Sequence, residues 1–384
     1  MKQPEKWMSM LNQENVAAAV IFDLDNLVYA SGICLPFPKD YPDLHVALCI
    51  SAENKMMLVV PAEWKQAVLD QGWQGLLYAY PAGVPPYQFM TVLTSMLQEH
   101  ALDSAAIGID MNGLSDQILR AIHQNLPQIK TKAIDHVFSA MRMIKDVGEI
   151  KLLEKASRFV ELGIVAAINH FEGMVEAVSF SMQETTERMR VHAGEFGGSA
   201  TGHMAALQGA ELQHYYVPPH GKIQEGHMLR YDLTSAYQGY WACSGRTIFV
   251  GEKPQQEYND AYEQNLLLKQ AVVSMIAPGA VCKKIFQAVN ALATQHQISL
   301  ITETDLGYGV GVSEREGPYI NPLDETILMP GMVLVADIVT RGPNGALIRN
   351  ADTYVIEENG SRLLSWYRNY DRLYRAFGST AVHG

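Results

Sequence analysis

The stretch from Leu229 to Gly251, LRYDLTSAYQGYWACSGRTIFVG, constrains this chain more than any other. An apolar strand runs into Asp232. A turn is placed through Ser235 to Gly239, and a return strand ends in Arg246, Thr247, Ile248, Phe249, Val250 and Gly251. The rest of the chain is read around this hairpin, because it joins a strand pattern to an acid that can carry chemistry. Cys243 stands eleven residues beyond that acid.

Upstream, strands alternate with helices. Val16 to Phe22 suits a buried strand, Leu27 to Ala30 a short second one closed by Ser31 and Gly32, and Ala106 to Ile109 another. Leu44 to Ile50 and Lys55 to Val60 read as a hairpin turning at Glu53 and Asn54. Ala62 to Gln71, Tyr87 to His100 and Leu114 to Gln124 have helical periodicity. This alternation implies an α/β domain with covered sheet faces. Long helices follow over Glu149 to Phe171 and Val175 to about Phe196. Beyond the hairpin come Glu257 to Met275 and Lys283 to Gln295, separated by the breaker Ala277-Pro278-Gly279. The C-terminal WYRNYDRLYRAF reads as a short amphipathic helix.

A net charge of −12 argues against nucleic acid as the main partner. Four scattered cysteines without CxxC spacing fit a reducing cytoplasm. The N-terminus has no apolar signal core, and no run approaches the ~18 apolar residues that span a bilayer. The expectation is a cytoplasmic protein with no nucleic-acid or membrane partner.

The hairpin resembles the metal-binding hairpin of the pita-bread family, which includes methionine aminopeptidase, prolidase and creatinase. There, Asp is followed eleven residues on by a second Asp, then by Arg-Thr and an apolar strand end. Two further segments carry the resemblance. Asn26-Leu27-Val28-Tyr29-Ala30-Ser31-Gly32 is similar to a signature of the creatinase-type N-terminal domain. Arg142-Met143-Ile144-Lys145 through Glu149-Ile150 is similar to the start of the catalytic domain. The implied fold class is α/β (α+β), with a creatinase-like domain over 1–140 and a pita-bread domain over 141–384.

The family's dinuclear site needs two Asp, one His and two Glu, because carboxylates must bridge hard divalent ions and offset their charge. Here Asp232 matches the first Asp, and Cys243 stands at the second. Tyr308, in Gly307-Tyr308-Gly309-Val310-Gly311, replaces the His. Asp337, closing Met332-Val333-Leu334-Val335-Ala336-Asp337, replaces a Glu. Ala351, before Asp352-Thr353, falls where the other Glu belongs, and a slip of one residue brings Asn350 or Asp352 there instead. A lone thiol and a neutral phenol do not bridge two hard ions. No metal or other cofactor is therefore expected.

What the resemblance implies for the site is a set of side chains working without metal. His214, in Gln213-His214-Tyr215-Tyr216-Val217-Pro218, matches a substrate-facing His and is assigned as general base and acid. Glu316, Asp232 and Asp337 complete the catalytic set. Arg315, in the place of a second substrate-facing His, is assigned with Tyr308 and Cys243 to substrate binding, Arg315 holding a carboxylate. Arg246 and Arg349 are read as structural. The implied function is creatinase-like, metal-independent cleavage of a C–N bond in a small polar nitrogenous or carboxylated compound. Two alternatives stand beside it: a catalytically silent ligand-binding protein, and a mononuclear Xaa-Pro peptidase-like enzyme using Asp232, Cys243 and Asp337.

The resemblance also implies a homodimer, with Cys34 to Tyr41 of one subunit closing the cleft of the other. Light scattering is expected to return twice the mass of one chain over a wide concentration range. A monomer throughout would contradict this.

Overall fold

The computed structural model describes residues 4–35, 44–81, 87–172, 181–195, 197–198, 200–208, 221–365 and 371–376. It divides into two units, Met1–Arg142 and Met143–Gly384, each organised on one sheet.

The first unit carries β1 (Ala18–Ile21), β2 (Ala47–Ser51), β3 (Met56–Pro61), β4 (Leu76–Tyr80), β5 (Ala106–Ile109) and β6 (Lys130–Ala133), in the spatial order β4-β3-β2-β1-β5-β6. β1 and β2 are buried at every position, as continuous apolar runs must be when helices cover both faces. Phe89, Met90, Leu93, Met96 and Leu97 form the buried stripe of the helix Tyr87–Glu99, at the i, i+3, i+4 spacing of an amphipathic helix.

One sequence expectation fails here. Leu27 to Ala30 is not a strand but part of a helix, Leu24–Ser31. Its ends explain why. The Asp23 side chain accepts from the Asn26 amide as N-cap, and Gly32 closes the helix at φ 75°, a left-handed conformation that glycine adopts without penalty. Two cap signals with eight residues between them outweigh a four-residue apolar run. Asn26 and Tyr29 then serve their own unit. The Asn26 amide donates to Asp110, and the Tyr29 hydroxyl donates to the Met141 carbonyl at 2.8 Å.

In the second unit, β7 (Ala200–Leu207), β8 (Met228–Tyr237), β9 (Tyr240–Val250), β10 (Gly307–Gly309), β11 (Glu316–Tyr319), β12 (Val333–Arg341) and β13 (Leu347–Glu357) follow the order β11-β10-β12-β13-β9-β8-β7. β14 (Gly360–Leu363) pairs with β13, and β15 (Tyr374–Ala376) runs parallel to β9. The described end of the expected C-terminal helix is therefore a strand. The hairpin strands are longer than the sequence reading placed them. β8 runs on to Tyr237, and only Gln238 (φ 49°) and Gly239 (φ 80°) turn the chain. Two successive positive φ angles make the tight turn whose twist matches that of its strands.

α1 (Val147–Glu172) and α2 (Met182–Glu195) pack on β8 and β9 through Val160, Ile164, Met189, Tyr231 and Leu233. α3 (Gln256–Met275) and α4 (Cys282–Gln295) pack on β12 and β13 through Leu268, Val272, Ile285, Leu334 and Ile338. No helix among the described residues is long and apolar enough to cross a membrane.

On this helix-covered side lies an ionic cluster. Arg246 of β9 pairs with Glu161 of α1 at 2.7 Å and with Asp352 of β13, which also pairs with Lys269 of α3. Burial alone raises a carboxyl group's pKa, but Arg246 and Lys269 outweigh it and hold Asp352 below the usual range. Its folded pKa thus lies below the unfolded value of about 4. The stabilisation it contributes is present above that pH and is lost as pH falls through the depressed folded value. Asp352→Asn should lower the unfolding free energy at neutral pH by about 3–5 kcal/mol. In urea melts, wild type and variant should converge as pH drops below about 4; a gap independent of pH would refute the assignment.

Candidate active site

The other side of this sheet carries the candidate site residues, and its layout follows from strand register. Asp232 pairs with Gly245, Gly245 with Ala351, and Ala351 with Asp337. Directly opposed residues of antiparallel strands point to the same face. These four therefore form one row across β8, β9, β13 and β12, with a carboxylate at each end and the two smallest side chains between. The next row holds Thr234 opposite Cys243, and Tyr308 opposite Val335.

The trough over Gly245 and Ala351 is filled by Arg349, two residues before Ala351 on β13 and so on the same face. A side chain on Gly245 would place its Cβ 3.1 Å from the Cγ and Cδ of Arg349. The guanidinium forks onto Asp337, Nε to Oδ1 and Nη2 to Oδ2, both at 2.7 Å. Its Nη1 lies 3.0 Å from Asp232 Oδ1, and Arg230 Nε lies 2.8 Å from Oδ2 of the same carboxylate. These two contacts are ion pairs rather than aligned hydrogen bonds. The Thr247 hydroxyl pins the Arg349 backbone, accepting from its amide at 2.9 Å and donating to its carbonyl at 3.0 Å. Two aspartates are thus balanced by two arginines, all buried. The surrounding carboxylates drive the Arg349 pKa further above its ordinary value, against the effect of burial.

Arg349 Nη2 also reaches the Cys243 sulfur at 3.5 Å. Burial pushes the Cys243 thiol up to about 11, against the pull of Arg349. Burial likewise holds the Tyr308 hydroxyl well above its usual range. At neutral pH both are uncharged. The Arg315 guanidinium lies over the Tyr308 ring, 3.8 Å from its centroid, a cation–π contact. Its Nη2 donates to Asp305 at 2.8 Å while 45% of the side chain stays exposed.

Glu316 is held otherwise than a free catalytic acid would be. Its Oε1 accepts from the buried Lys145 ammonium at 2.7 Å. Its neighbour Glu314 instead reaches the site face, accepting from Thr234 at 2.6 Å. Asn350 and Asp352, the alternatives at the last ligand position, point to the helix side. Asn350 bonds Asn265 there, and Asp352 joins Arg246. His214 lies outside the described residues.

A divalent metal pair does not fit these groups. Among the described residues no three His, Cys, Asp or Glu side chains are grouped to hold an ion. Ala351 offers no donor, Cys243 and Tyr308 are neutral, and the two carboxylates already share a guanidinium. The sequence reading placed Asp232, Asp337, Cys243, Tyr308 and Arg315 in one region, as they are. It treated Arg349 as structural and gave no role to Arg230 or Glu314. The signal for Arg349 was the two-residue spacing to Ala351, which fixes a shared face once the segment is known to be a strand.

Comparison with known proteins agrees on the family. Residues 151–358 match the metallopeptidase family M24 profile, and residues 5–144 match the creatinase/prolidase N-terminal domain. A Xaa-Pro dipeptidase of Pyrococcus horikoshii is 30% identical over 244 residues, a match covering 61% of this chain and 66% of that protein. A creatinase from a Bacillus species is 22% identical over 287 residues, covering 71% of this chain and 69% of that protein. The crystal structure of the prolidase from Pyrococcus horikoshii OT3 superposes with a TM-score of 0.79 at 23% identity, covering 96% of this chain and 99% of that one.

The trough predicts an order of tolerance at Gly245. Gly245→Ala asks its neighbours to give by a few tenths of an ångström, whereas Gly245→Val drives γ-carbons into Arg349 and Ala351. Chemical denaturation should show Gly245→Val less stable by about 1–3 kcal/mol and Gly245→Ala by much less. Equal stability of the valine variant would contradict the packing described.

Proposed function

Because the chain belongs to metallopeptidase family M24, with a creatinase/prolidase N-terminal domain ahead of the family region, we propose that it is a hydrolase acting on a small carboxylated compound of dipeptide size, without a metal pair. The observation that carries this reading is Arg315. It is a half-exposed cation stacked on a buried ring, on the sheet that bears Asp232 and Asp337. An arginine held by its face presents its edge to planar anions: Nη2 already meets Asp305, and the rest of the half-exposed fork suits a substrate carboxylate. In this reading Arg315 binds the substrate carboxylate, Tyr308 stays neutral beneath it, and His214 moves the proton. The working unit is proposed to be a homodimer.

The Xaa-Pro dipeptidase name among the relatives favours an Xaa-Pro substrate over a creatine-like one, and supports the metal-dependent peptidase alternative. For that alternative to operate here, Arg349 must leave both aspartates. A panel of Xaa-Pro dipeptides, N-methylated amino acids and guanidino acids, assayed in EDTA and again with manganese, separates the readings. Turnover in EDTA is expected. Turnover only with manganese would establish the metallopeptidase reading, and ligand-induced stabilisation without turnover the binding-protein one.

On any substrate found, Arg315→Gln should raise KM by about 10- to 100-fold, the loss of charge-assisted hydrogen bonds. His214→Ala should lower kcat by about 10²–10⁴-fold. An unchanged KM in the first variant would remove the carboxylate assignment. Wild-type turnover in the second would move proton transfer to another group.

A further inference from the structure

The family name promises metal, and the site face has no room for it. We propose that Arg349 is the built-in cation of this site: its guanidinium takes the place between Asp232 and Asp337 that divalent ions require, and so keeps them out.

Four observations converge on this. The first is charge. Asp232 and Asp337 end one row across four strands, and Arg349 is a cation that reaches both. Two buried carboxylates facing each other need a cation, whether ion or side chain. The second is shape. The guanidinium meets Asp337 through two parallel hydrogen bonds of 2.7 Å, a fork that a lysine ammonium does not reproduce. The third is space. Gly245 and Ala351, lying between the acids, leave the trough through which the arginine stem runs. The fourth is the donor set. With Arg349 withdrawn, Asp232 and Asp337 would offer hard oxygen donors to an ion whose shell waters could complete. With Arg349 in place, an ion would have to displace a guanidinium that reaches both carboxylates.

The inference rests on the reading that this face is the working site, but its test uses no substrate, so the two fail separately. Wild-type protein is dialysed against EDTA and its metal content measured. Its melting temperature is then recorded in EDTA and in manganese, cobalt or zinc chloride, alongside Arg349→Ala and Arg349→Lys. Wild type is expected to hold less than about one-tenth of an ion per chain and to melt at the same temperature throughout, since a ligand that binds only the folded state must raise it. Arg349→Ala, with its two acids uncovered, is expected to melt lower in EDTA and to recover with manganese. Adding Asp337→Asn to that variant should abolish the recovery. Arg349→Lys, still cationic, is expected to remain indifferent to metal.

A stoichiometric ion in wild type whose removal lowers its melting temperature would overturn the proposal. So would a folded Arg349→Ala protein that ignores all three metals. If Arg349→Ala does not fold with or without metal, the other arms decide. Metal-indifferent wild type and Arg349→Lys uphold the proposal, and metal uptake by either overturns it.

Discussion

The ion-paired guanidinium of Arg349 is the interaction on which the site-bearing face of the second unit's sheet depends. A buried arginine is strongly unfavourable unless its charge and donors are met. Here its charge is met by Asp337 on β12 and Asp232 on β8, and its Nε and Nη2 donors by Asp337, with the Cys243 sulfur on β9 beside Nη2. The side chain therefore ties together strands that backbone pairing alone joins in sequence. Its position in turn demands Gly245 and Ala351 as the small members of the row, and Thr247 to fix its backbone. Arg230 completes the balance on the far side of Asp232.

Strand alternation sorts neighbouring residues into different chemistry. Asn350, Ala351 and Asp352 are adjacent in sequence, yet only Ala351 faces the trough. Asn350 bonds Asn265 and Tyr262 under α3, while Asp352 sits between Arg246 and Lys269. A slip of one residue would exchange these environments, carrying Arg349 and Ala351 to the helix side and taking Asp352 away from Arg246 and Lys269. The helix-side ionic cluster thus enforces the register that keeps Arg349 in the trough.

Much of the fold was legible because its signals are local or periodic. The β8–β9 hairpin, the Glu53-Asn54 turn and the helices Tyr87–Glu99, Asp116–Asn125, α1, α3 and α4 follow from apolar spacing and turn residues. The helix at Leu24–Ser31 was misread because a buried helix and a strand look alike over four apolar residues, and only the caps Asp23 and Gly32 distinguish them. The strand Tyr374–Ala376 was misread because its partner, β9, lies more than a hundred residues away. The resemblance implied a depleted ligand set position by position, but the partners of Asp232 and Asp337 were not legible. An arginine two residues from an alanine says nothing until β12, β13, β9 and β8 are laid side by side, and charge compensation across strands has no sequence period.

Substituting a guanidinium for metal changes which chemistry the site can perform. A metal supplies both a positive charge and a bound water acidic enough to yield hydroxide near neutrality. A guanidinium supplies charge and hydrogen bonds, but it is never deprotonated and does not acidify water in that way. Proton transfer then falls to side chains, and those placed on this face offer little. Cys243, pushed up to about 11, and Tyr308, higher than usual, keep their protons. Asp232 and Asp337 are committed to arginines, and Glu316 to Lys145. A reaction run on this sheet needs a base titrating near neutrality from a neighbouring segment, the role assigned by resemblance to His214. It also needs a substrate whose reacting bond breaks without a Lewis acid. An internal arginine thereby narrows the chemistry before any substrate is considered, because it replaces the field of the metal and leaves out its hydroxide.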